Sequence, residues 1–275
     1  MRFAILGGDG RFARLVRLLR ADGHDVIPFA LERALPDCAG SAAEALTGAE
    51  AVILPLPCEK NGVLNAPLSD IQAEPVPLLA PAAPGTPVLA GKAGGPLRMY
   101  CAEHGLPLHD YNAREDFALR NAELTAEGAL PLLLDGAKAL PDCAILICGF
   151  GRIGQRLAAK LHALGASVAV AARSPAAKAA AELAGCRART LTETAGNWDA
   201  VVNTIPAPLF GAEALDAFGE AKLIELASPP YGFDFAAAER MGKRILLASG
   251  LPGKTAPESA AAVLRKTIYA ILEES

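Results

Sequence analysis

The chain has 275 residues, a formal net charge of −4 at pH 7, 52% hydrophobic residues and 20% charged residues. Domains usually contain roughly 100–200 residues, so this length permits one large domain or two ordinary ones. A slightly acidic chain with scattered Lys and Arg residues lacks the basic surface that nucleic acid binding requires. No apolar run approaches the ~20 residues of a membrane span, which argues against a membrane protein.

Cysteine usage and the first residues bear on location and metal binding. The apolar run over residues 1–7 lacks the length and the small-residue cleavage site of a signal peptide. The six cysteines include no C-x-x-C pair, and none of the four histidines lies at ligand spacing from a cysteine. We therefore expect a cytoplasmic protein with reduced cysteines and without a metal site.

Apolar runs and glycine turns predict alternating strands and helices in the first half of the chain. The predicted strands cover residues 2–6, 25–29, 51–54, 88–90 and 106–110, and the predicted helices cover residues 11–20 and 97–104. Residues 73–87 are rich in Pro and Ala and predict a loop with at most a short helix. A long helix over residues 112–135, with a break at Pro131 as an alternative, is expected to contain the domain boundary.

The second half repeats this alternation with stronger signals. Strands are predicted at residues 143–148, 167–172, 200–203, 222–226 and 244–248, and helices at residues 155–164, 175–184 and 256–274. Strands that alternate with helices imply a parallel, doubly wound sheet. We predict an α/β fold of two Rossmann-like domains with an interdomain cleft, in which the C-terminal helix packs back on the N-terminal domain.

A glycine pattern directly follows the apolar strand at residues 143–148. Gly149-x-Gly151-x-x-Gly154 has the spacing of a dinucleotide site, in which the glycines permit a tight turn, approach of a pyrophosphate and close helix packing. The alternative is a glycine turn that only connects strand to helix. We predict cofactor contacts from Gly149, Phe150, Gly151, Arg152, Ile153 and Gly154.

This motif also sets the predicted domain limits. They are a substrate domain over residues 1–115, an interdomain helix over residues 116–136, an NAD(P)-binding domain over residues 137–255 and a C-terminal helix over residues 256–275.

The end of the next strand bears on which dinucleotide is bound. An NAD site usually carries Asp or Glu there to bind the ribose hydroxyls. This chain has Ala172-Arg173-Ser174 instead, and Arg173 and Ser174 are suited to a 2′-phosphate. We therefore favour NADP over NAD. The alternative is that Arg173 stacks on the adenine and the site accepts both cofactors.

The strand at residues 200–203 ends in Asn203-Thr204-Ile205-Pro206. This position faces the nicotinamide-ribose side of a dinucleotide site. Asn203, Thr204 and Pro206 are therefore further candidates for cofactor binding, and an ordinary strand-exit turn is the alternative.

The first glycine turn, at residues 7–11, lacks the complete dinucleotide spacing. Asp9 would repel a pyrophosphate, so we favour a turn that faces the substrate, with Arg11 as an anion contact. A cation is slightly unfavourable in the first turn of a helix, which argues for a functional role of Arg11. The alternative is a surface arginine.

The segment at residues 248–255 leads into the C-terminal helix. Thr255 and Glu258 match a capping box at its start. Lys254 is a candidate contact for a carboxylate because loops at the carboxyl ends of strands bind ligands. The alternative is a solvated lysine.

Six motifs follow one another along the chain. They are Gly7-Gly8-Asp9-x-Arg11, Asn121 to Gly128, Gly149 to Gly154, Ala172-Arg173-Ser174, Asn203-Thr204-Ile205-Pro206, and Gly250-Leu251-Pro252-Gly253 with Ala256-Pro257. In this order they resemble the family of dipicolinate synthase A subunits of spore-forming bacteria, over nearly the whole chain. The pattern departs from the family at Leu124, where Pro is usual, and at Gly10, where Ala is common.

The resemblance implies that the chain oxidises dihydrodipicolinate to dipicolinate in spore formation, together with the flavoprotein-like dipicolinate synthase B subunit. NADP or NAD would accept the hydride. The two substrate carboxylates need cationic or N–H-rich partners, and Arg11, Lys92 and Lys254 are the candidates, each from a loop expected at the cleft. We also expect a homo-oligomer.

The resemblance also covers Asn121-x-x-x-Thr125-x-Glu127 on the boundary helix. Asn121 and Thr125 are four residues apart and share one helix face. Asn121 is a candidate substrate contact, and Thr125 or Glu127 a candidate base or substrate contact. The alternative is the polar face of an interdomain helix.

Two other functions stay open. The first is another two-domain NAD(P)-dependent dehydrogenase, of the 2-hydroxy-acid or alanine type. The 2-hydroxy-acid type needs a His near the last strand of the cofactor domain, and no His follows His162. The second is a non-catalytic NADP-binding subunit that regulates a partner.

Overall fold

The computed structural model describes residues 1–136 and 138–274. The chain divides into two compact units. Unit 1 contains residues 1–121 and residues 252 onward, and unit 2 contains residues 122–251. The predicted domain limits stay a prediction, and two of them, residues 137 and 275, lie outside the described residues.

The strands of the described residues follow the alternation that the sequence predicts. They are β1 (Arg2–Leu6), β2 (Asp25–Phe29), β3 (Ala51–Ile53), β4 (Glu59–Lys60), β5 (Val63–Leu64), β6 (Val88–Ala90), β7 (Leu108–Asp110), β8 (Ala144–Cys148), β9 (Ser167–Ala171), β10 (Arg187–Arg189), β11 (Ala200–Asn203), β12 (Lys222–Glu225) and β13 (Ile245–Leu247).

The helices connect these strands and close the chain. They are α1 (Gly10–Ala21), α2 (Ala42–Leu46), α3 (Pro75–Leu78), α4 (Gly95–Glu103), α5 (Glu115–Leu134), α6 (Arg152–Ala163), α7 (Pro175–Leu183), α8 (Ala212–Ala217), α9 (Phe235–Arg240), α10 (Leu251–Thr255) and α11 (Pro257–Glu274). No helix within residues 1–136 and 138–274 combines the length and the apolar character that crossing a membrane requires.

Unit 1 is built on a parallel sheet with the strand order β2-β1-β3-β6-β7. Because successive side chains of a strand point to opposite faces, Phe3 and Ile5 pack in one core and Ala4 and Leu6 in another. Helix α11 lies along α1 in the first of these cores. The prediction that the C-terminal helix packs back on the N-terminal fold is therefore confirmed.

Unit 2 is built on a parallel sheet with the order β10-β9-β8-β11-β12-β13. Ile145 and Ile147 of β8 face the helix α6, whereas Leu146 and Cys148 face the opposite layer with α8 and α9. The chain order reverses between β8 and β11, which is where open α/β sheets bind ligands. The prediction of two doubly wound parallel sheets is confirmed.

Several local features differ from the predictions or their alternatives. Helix α5 continues past Pro131 to Leu134, although Pro131 lacks the N–H that would donate to the carbonyl of Glu127, so the alternative of a break there does not hold. Thr255 lies in the short helix α10, so the predicted capping box at Thr255 is wrong. Ala256 is the N-cap of α11, since Ala260 N donates to Ala256 O at 2.9 Å. The edge strand β10 and the hairpin β4–β5 were not predicted.

Candidate functional site

The glycine turn after β8 has the geometry of an open backbone cradle. Gly149 has a φ of 100°, which a residue with a side chain rarely adopts. A Cβ on Gly154 would lie 2.2 Å from Gly149 O, whereas a Cβ on Gly151 would meet nothing within 4 Å. Gly154 is therefore required by packing within unit 2, and Gly151 leaves space in front of the turn.

The side chains along this turn differ in how far they are exposed to solvent. The Phe150 side chain is buried in the unit 2 core beside α6. Gly151 is the N-cap of α6, and Arg152 is exposed in the first turn of that helix. Ile153 is half-buried against the same core. The N–H groups at the start of α6 thus open toward the side of the sheet where the strands end, which suits an anionic pyrophosphate.

The turn after β9 carries the residues predicted to recognise the adenosine end. Arg173 and Ser174 are exposed. Ser174 Oγ accepts a hydrogen bond from Ala177 N at 3.1 Å and so caps α7. Ala172 N donates to Arg189 O at 3.1 Å, which places the end of β10 beside this turn.

Strand β10 adds charged groups that sequence reasoning missed. The Arg189 guanidinium lies 5.3 Å from the centre of the Trp198 ring. Glu193 accepts a hydrogen bond from Thr190 Oγ1 at 2.8 Å. The hydrogen bonds from Thr190 and the nearby cations Lys178 and Arg189 lower the pKa of Glu193. The only available signal was the sequence Arg187-Ala188-Arg189, which lacks the apolar character of the other strands.

The turn after β11 lies against the glycine turn. Thr204 N and Thr204 Oγ1 both donate to Cys148 O at 2.9 Å. A Cβ on Gly149 would lie 2.4 Å from Thr204 Oγ1 and 2.8 Å from Ile205 Cγ1. The structure therefore brings together Gly149 and Thr204, both predicted to line the cofactor site. Pro206 is exposed at the outer end of this turn.

The Asn203 side chain points into the protein and not toward the cofactor site. Asn203 is fully buried. Its Nδ2 donates to Ile205 O at 2.9 Å and to Glu225 Oε1 at 2.6 Å, and its Oδ1 accepts from Ile205 N at 3.0 Å. These bonds use both N–H groups and the oxygen of the amide, so Asn203 shapes the turn through hydrogen bonds of its side chain. Glu225 had no motif that sequence reasoning could use.

In unit 1, Arg11 follows β1 in a turn of its own. Arg11 is only 3% exposed. Its Nε and Nη2 donate to Asp9 at 2.9 Å and 2.8 Å, and Asp9 also caps α1 through Arg11 N. The charge of the predicted anion contact is thus balanced by Asp9. A Cβ on Gly253 would lie 2.4 Å from Asp9 Oδ2, so α10 lies against this turn.

The other predicted cations of unit 1 are exposed. Lys254 lies near the end of α10, and Lys92 lies in the turn after β6 with a φ of 56°. Asp110 holds that turn by accepting from Lys92 N at 3.0 Å and Ala93 N at 3.2 Å. Arg98 Nη2 donates to the same carboxylate at 2.7 Å. The turns after β1 and β6 lie at the carboxyl edge of one parallel sheet.

Helix α5 carries the last three candidates. Asn121 is half-buried and Thr125 is 6% exposed. Glu127 is half-exposed and accepts from Lys160 Nζ at 3.1 Å. Hydrogen bonds from Lys160 to Glu123 and then to Glu127 raise the pKa of Lys160. Glu127 therefore belongs to an ion-pair network between α5 and α6 in unit 2.

Two family models match separate parts of the chain. Residues 2–112 match the N-terminal domain of the dipicolinate synthase A subunit. Residues 134–224 match the NAD-binding domain of D-isomer specific 2-hydroxyacid dehydrogenases. The second match covers the glycine turn and the turns after β9 and β11, so unit 2 is a nicotinamide dinucleotide-binding domain of the dehydrogenase type.

Individual proteins resemble the chain over its full length. The dipicolinate synthase A subunit of Bacillus subtilis (strain 168) is 28% identical over 100% of this chain and 96% of the relative. The crystal structure of the dipicolinate synthase A subunit from Bacillus halodurans has a TM-score of 0.83 and 25% identity, with 98% of this chain and 97% of that chain covered.

D-Lactate dehydrogenase from Escherichia coli, at a TM-score of 0.66 and 15% identity over 100% of this chain and 97% of that chain, shares the fold alone. The resemblance predicted from the motifs is confirmed: the chain is similar to dipicolinate synthase A subunits over nearly its full length and carries a dehydrogenase-type NAD-binding domain.

Proposed function

We propose that the chain oxidises dihydrodipicolinate to dipicolinate with a nicotinamide cofactor, together with a flavoprotein-like B subunit, in spore formation. One observation carries the proposal: a chain whose residues 2–112 match the N-terminal domain of the dipicolinate synthase A subunit also holds an open glycine turn in a dehydrogenase-type domain. The first part accounts for the substrate, and the second for a hydride acceptor.

The reaction removes one hydride and one proton from the dihydropyridine ring, which then becomes aromatic. A bound oxidised nicotinamide would supply the hydride acceptor. The N–H groups at Gly151 and the start of α6 would hold its pyrophosphate, and the turn at Thr204 would border the nicotinamide ribose. Since no alcohol is oxidised, the reaction needs no His to take up an alcohol proton.

The substrate has two carboxylates, which we assign to cations at the carboxyl edge of the unit 1 sheet. Lys92 and Lys254 are exposed there. Arg11 is paired with Asp9, so it would not present a full unpaired charge to the substrate. It would instead contribute to the local field and to the shape of its turn. Asn121 is a further substrate contact in this proposal.

We favour Thr125 over Glu127 as the residue that handles the substrate proton. Glu127 already accepts a hydrogen bond from Lys160 at 3.1 Å, so its carboxylate belongs to the ion-pair network of α5 and α6. Thr125 is buried on α5. A buried hydroxyl can orient a substrate group or pass on a proton through a hydrogen bond.

We propose NADP as the preferred cofactor, with NAD as the alternative. The turn after β9 carries Arg173 and Ser174 and no carboxylate. Arg189 at the end of the neighbouring strand lies on the same side of the sheet, where the nearby Glu193 carboxylate offsets its charge. Charge-assisted hydrogen bonds from Arg173 and Ser174 suit a 2′-phosphate.

The test measures dipicolinate formation and nicotinamide reduction by the purified chain, with and without the B subunit. Gly151→Asp places a carboxylate where the pyrophosphate would lie, and Gly211→Asp, at the N-cap of α8 with nothing within 4 Å of its Cβ, is the matched control. We expect only Gly151→Asp to abolish product formation. If Gly151→Asp leaves it unchanged, hydride transfer on this chain is refuted.

A 2-hydroxy-acid dehydrogenase is the second candidate, because residues 134–224 match the NAD-binding domain of that family. The sequence opposes it, since no His follows His162. Offering D-lactate and other small 2-hydroxy acids in the same assay separates the two functions. Binding of NADPH without oxidation of any of these substrates, even when the B subunit is present, would instead favour a regulatory role.

A further inference from the structure

Glu225, the last residue of β12, is a fully buried carboxylate to which the proposed reaction gives no role. It lies directly opposite Asn203 in the parallel pairing of β11 and β12. Burying a charged group is costly unless hydrogen bonds replace its water. The position therefore needs a structural or functional reason beyond filling space.

Each of the two oxygens of this carboxylate accepts two hydrogen bonds. Oε1 accepts from Asn203 Nδ2 at 2.6 Å and from Ala227 N at 3.0 Å. Oε2 accepts from Gly232 N at 2.9 Å and from Phe233 N at 3.1 Å. One donor is the last residue of β11 and the other three follow β12, so one side chain ties the loop after β12 to the end of β11.

Asn203 transmits this constraint to the glycine turn. Its amide forms two hydrogen bonds with Ile205, which hold the turn that begins at Thr204. Thr204 in turn donates to Cys148 O, directly before Gly149. Gly232 packs so tightly on the Asn203 amide that a Cβ there would lie 2.3 Å from Nδ2.

We infer that Glu225 is a positioning residue of the dinucleotide site, which acts through Asn203 to hold the Thr204 turn against Gly149 on the nicotinamide side. This inference rests on the proposed placement of the nicotinamide half of the cofactor beside Thr204. A carboxylate is required because all four of its partners are donors. A glutamine would turn its own NH2 group toward two of them.

The test compares cofactor binding of the full chain with and without the nicotinamide half. NADPH and NADH are titrated by nicotinamide fluorescence, and ADP, which lacks the nicotinamide ribose, is titrated by competition or calorimetry. Glu225→Gln is expected to weaken NADPH or NADH binding by about tenfold and ADP binding by less than about twofold. Equal weakening of both, or none, would overturn the inference.

A matched control separates positioning from loss of stability. Asp199 accepts from Ala144 N at 2.8 Å and from Lys138 Nζ at 2.7 Å at the opposite, amino edge of β8 and β11. Asp199→Asn therefore perturbs a carboxylate directly before β11, at the amino edge of the sheet and far from the carboxyl ends of the strands. It should leave NADPH and ADP binding unchanged even where its melting temperature falls as much as that of Glu225→Gln.

A second variant keeps the test informative if Glu225→Gln does not fold. Gly232→Ala pushes on the Asn203 amide without changing any charge, and Gly211→Ala, whose Cβ meets nothing within 4 Å, is its control. Only Gly232→Ala should weaken NADPH binding selectively. If the wild-type chain binds neither NADPH nor NADH, the proposed function itself fails. Wild-type binding with unaffected Glu225 and Gly232 variants refutes the positioning role alone.

Discussion

Arg11 Nη2 lies 2.8 Å from Asp9 Oδ2, in the turn that joins β1 to α1. The arginine is 3% exposed, and the aspartate also accepts the backbone N–H of Arg11 at 3.1 Å. One carboxylate thus caps the helix and neutralises a buried cation. The repulsion of anions by Asp9 and the attraction by Arg11, which the sequence presents as separate effects, largely cancel in the structure.

Replacing Asp9 is expected to destabilise unit 1 strongly. Asp9→Ala removes the N-cap and leaves the buried Arg11 guanidinium unpaired, which should lower the free energy of unfolding by about 3–5 kcal/mol. Asp9→Asn keeps an acceptor for the cap and should cost less. Urea unfolding measures the difference. The double variant Asp9→Ala/Arg11→Met should recover part of the loss, and simple additivity of the two single changes would contradict the pairing.

Gly151 and Gly154, at the start of α6, should respond differently to replacement by alanine. Gly154→Ala drives a Cβ into Gly149 O and should destabilise unit 2 by about 1–3 kcal/mol. Gly151→Ala should cost less than about 1 kcal/mol in stability but weaken NADPH or NADH binding at least about tenfold, since the methyl group occupies the approach of the pyrophosphate. Thermal unfolding and fluorescence titration provide the two readouts. Normal binding by Gly151→Ala would place the cofactor elsewhere.

Arg173 should discriminate between the two cofactors. Arg173→Asp is expected to weaken NADPH binding more than about tenfold and NADH binding less than about threefold, because only NADPH carries the 2′-phosphate. Arg187→Asp is the control: Arg187 begins β10, donates to Ser167 Oγ at 2.9 Å, and lies at the amino end of the strands. Equal losses for NADPH and NADH in Arg173→Asp would exclude a phosphate contact.

Glu127 should prove structural and not catalytic. Glu127→Gln removes one of two carboxylates that bind Lys160, while Glu123 remains. We expect a stability change below about 1 kcal/mol, as for a solvent-exposed ion pair, and nearly unchanged dipicolinate formation. Thr125→Val, which is nearly isosteric, should lower the rate while the cofactor still binds. A large loss of dipicolinate formation in Glu127→Gln, with cofactor binding and stability unchanged, would restore Glu127 as the base.

The sequence predicted the parts of the fold that depend on local signals. Apolar runs predicted β1 and β8 correctly, because a strand that is buried on both faces must be apolar along nearly its whole length. The spacing of Gly149, Gly151 and Gly154 found the turn because each glycine has a separate steric reason. Strand β10 was missed since an edge strand with two arginines has no apolar alternation.

The interactions that shape the candidate site lie between distant residues. Glu225 and Asn203 are 22 residues apart, and only the strand register places them opposite each other. A buried carboxylate satisfied by backbone N–H groups has no motif, because its donors are present in any sequence. The Lys160–Glu127 pair likewise depends on how α5 lies against α6.

The stability contributed by Asp199 should depend on pH in a defined window. Hydrogen bonds from Lys138 Nζ and Ala144 N lower the pKa of Asp199 from its ordinary value of 3.8. A group whose folded pKa is depressed stabilises the protein above its unfolded pKa and loses that contribution as the pH falls through the folded value. The unfolding free energies of wild type and Asp199→Asn should therefore differ by about 1 kcal/mol at pH 7 and at pH 5, begin to converge as the pH falls below 3.8, and meet only below the still lower folded pKa. Urea unfolding at several pH values measures this difference. Lys138→Met, which removes the larger cause of the shift, should flatten the same pH dependence, and a wild-type advantage that persists at low pH would show that Asp199 acts without its charge.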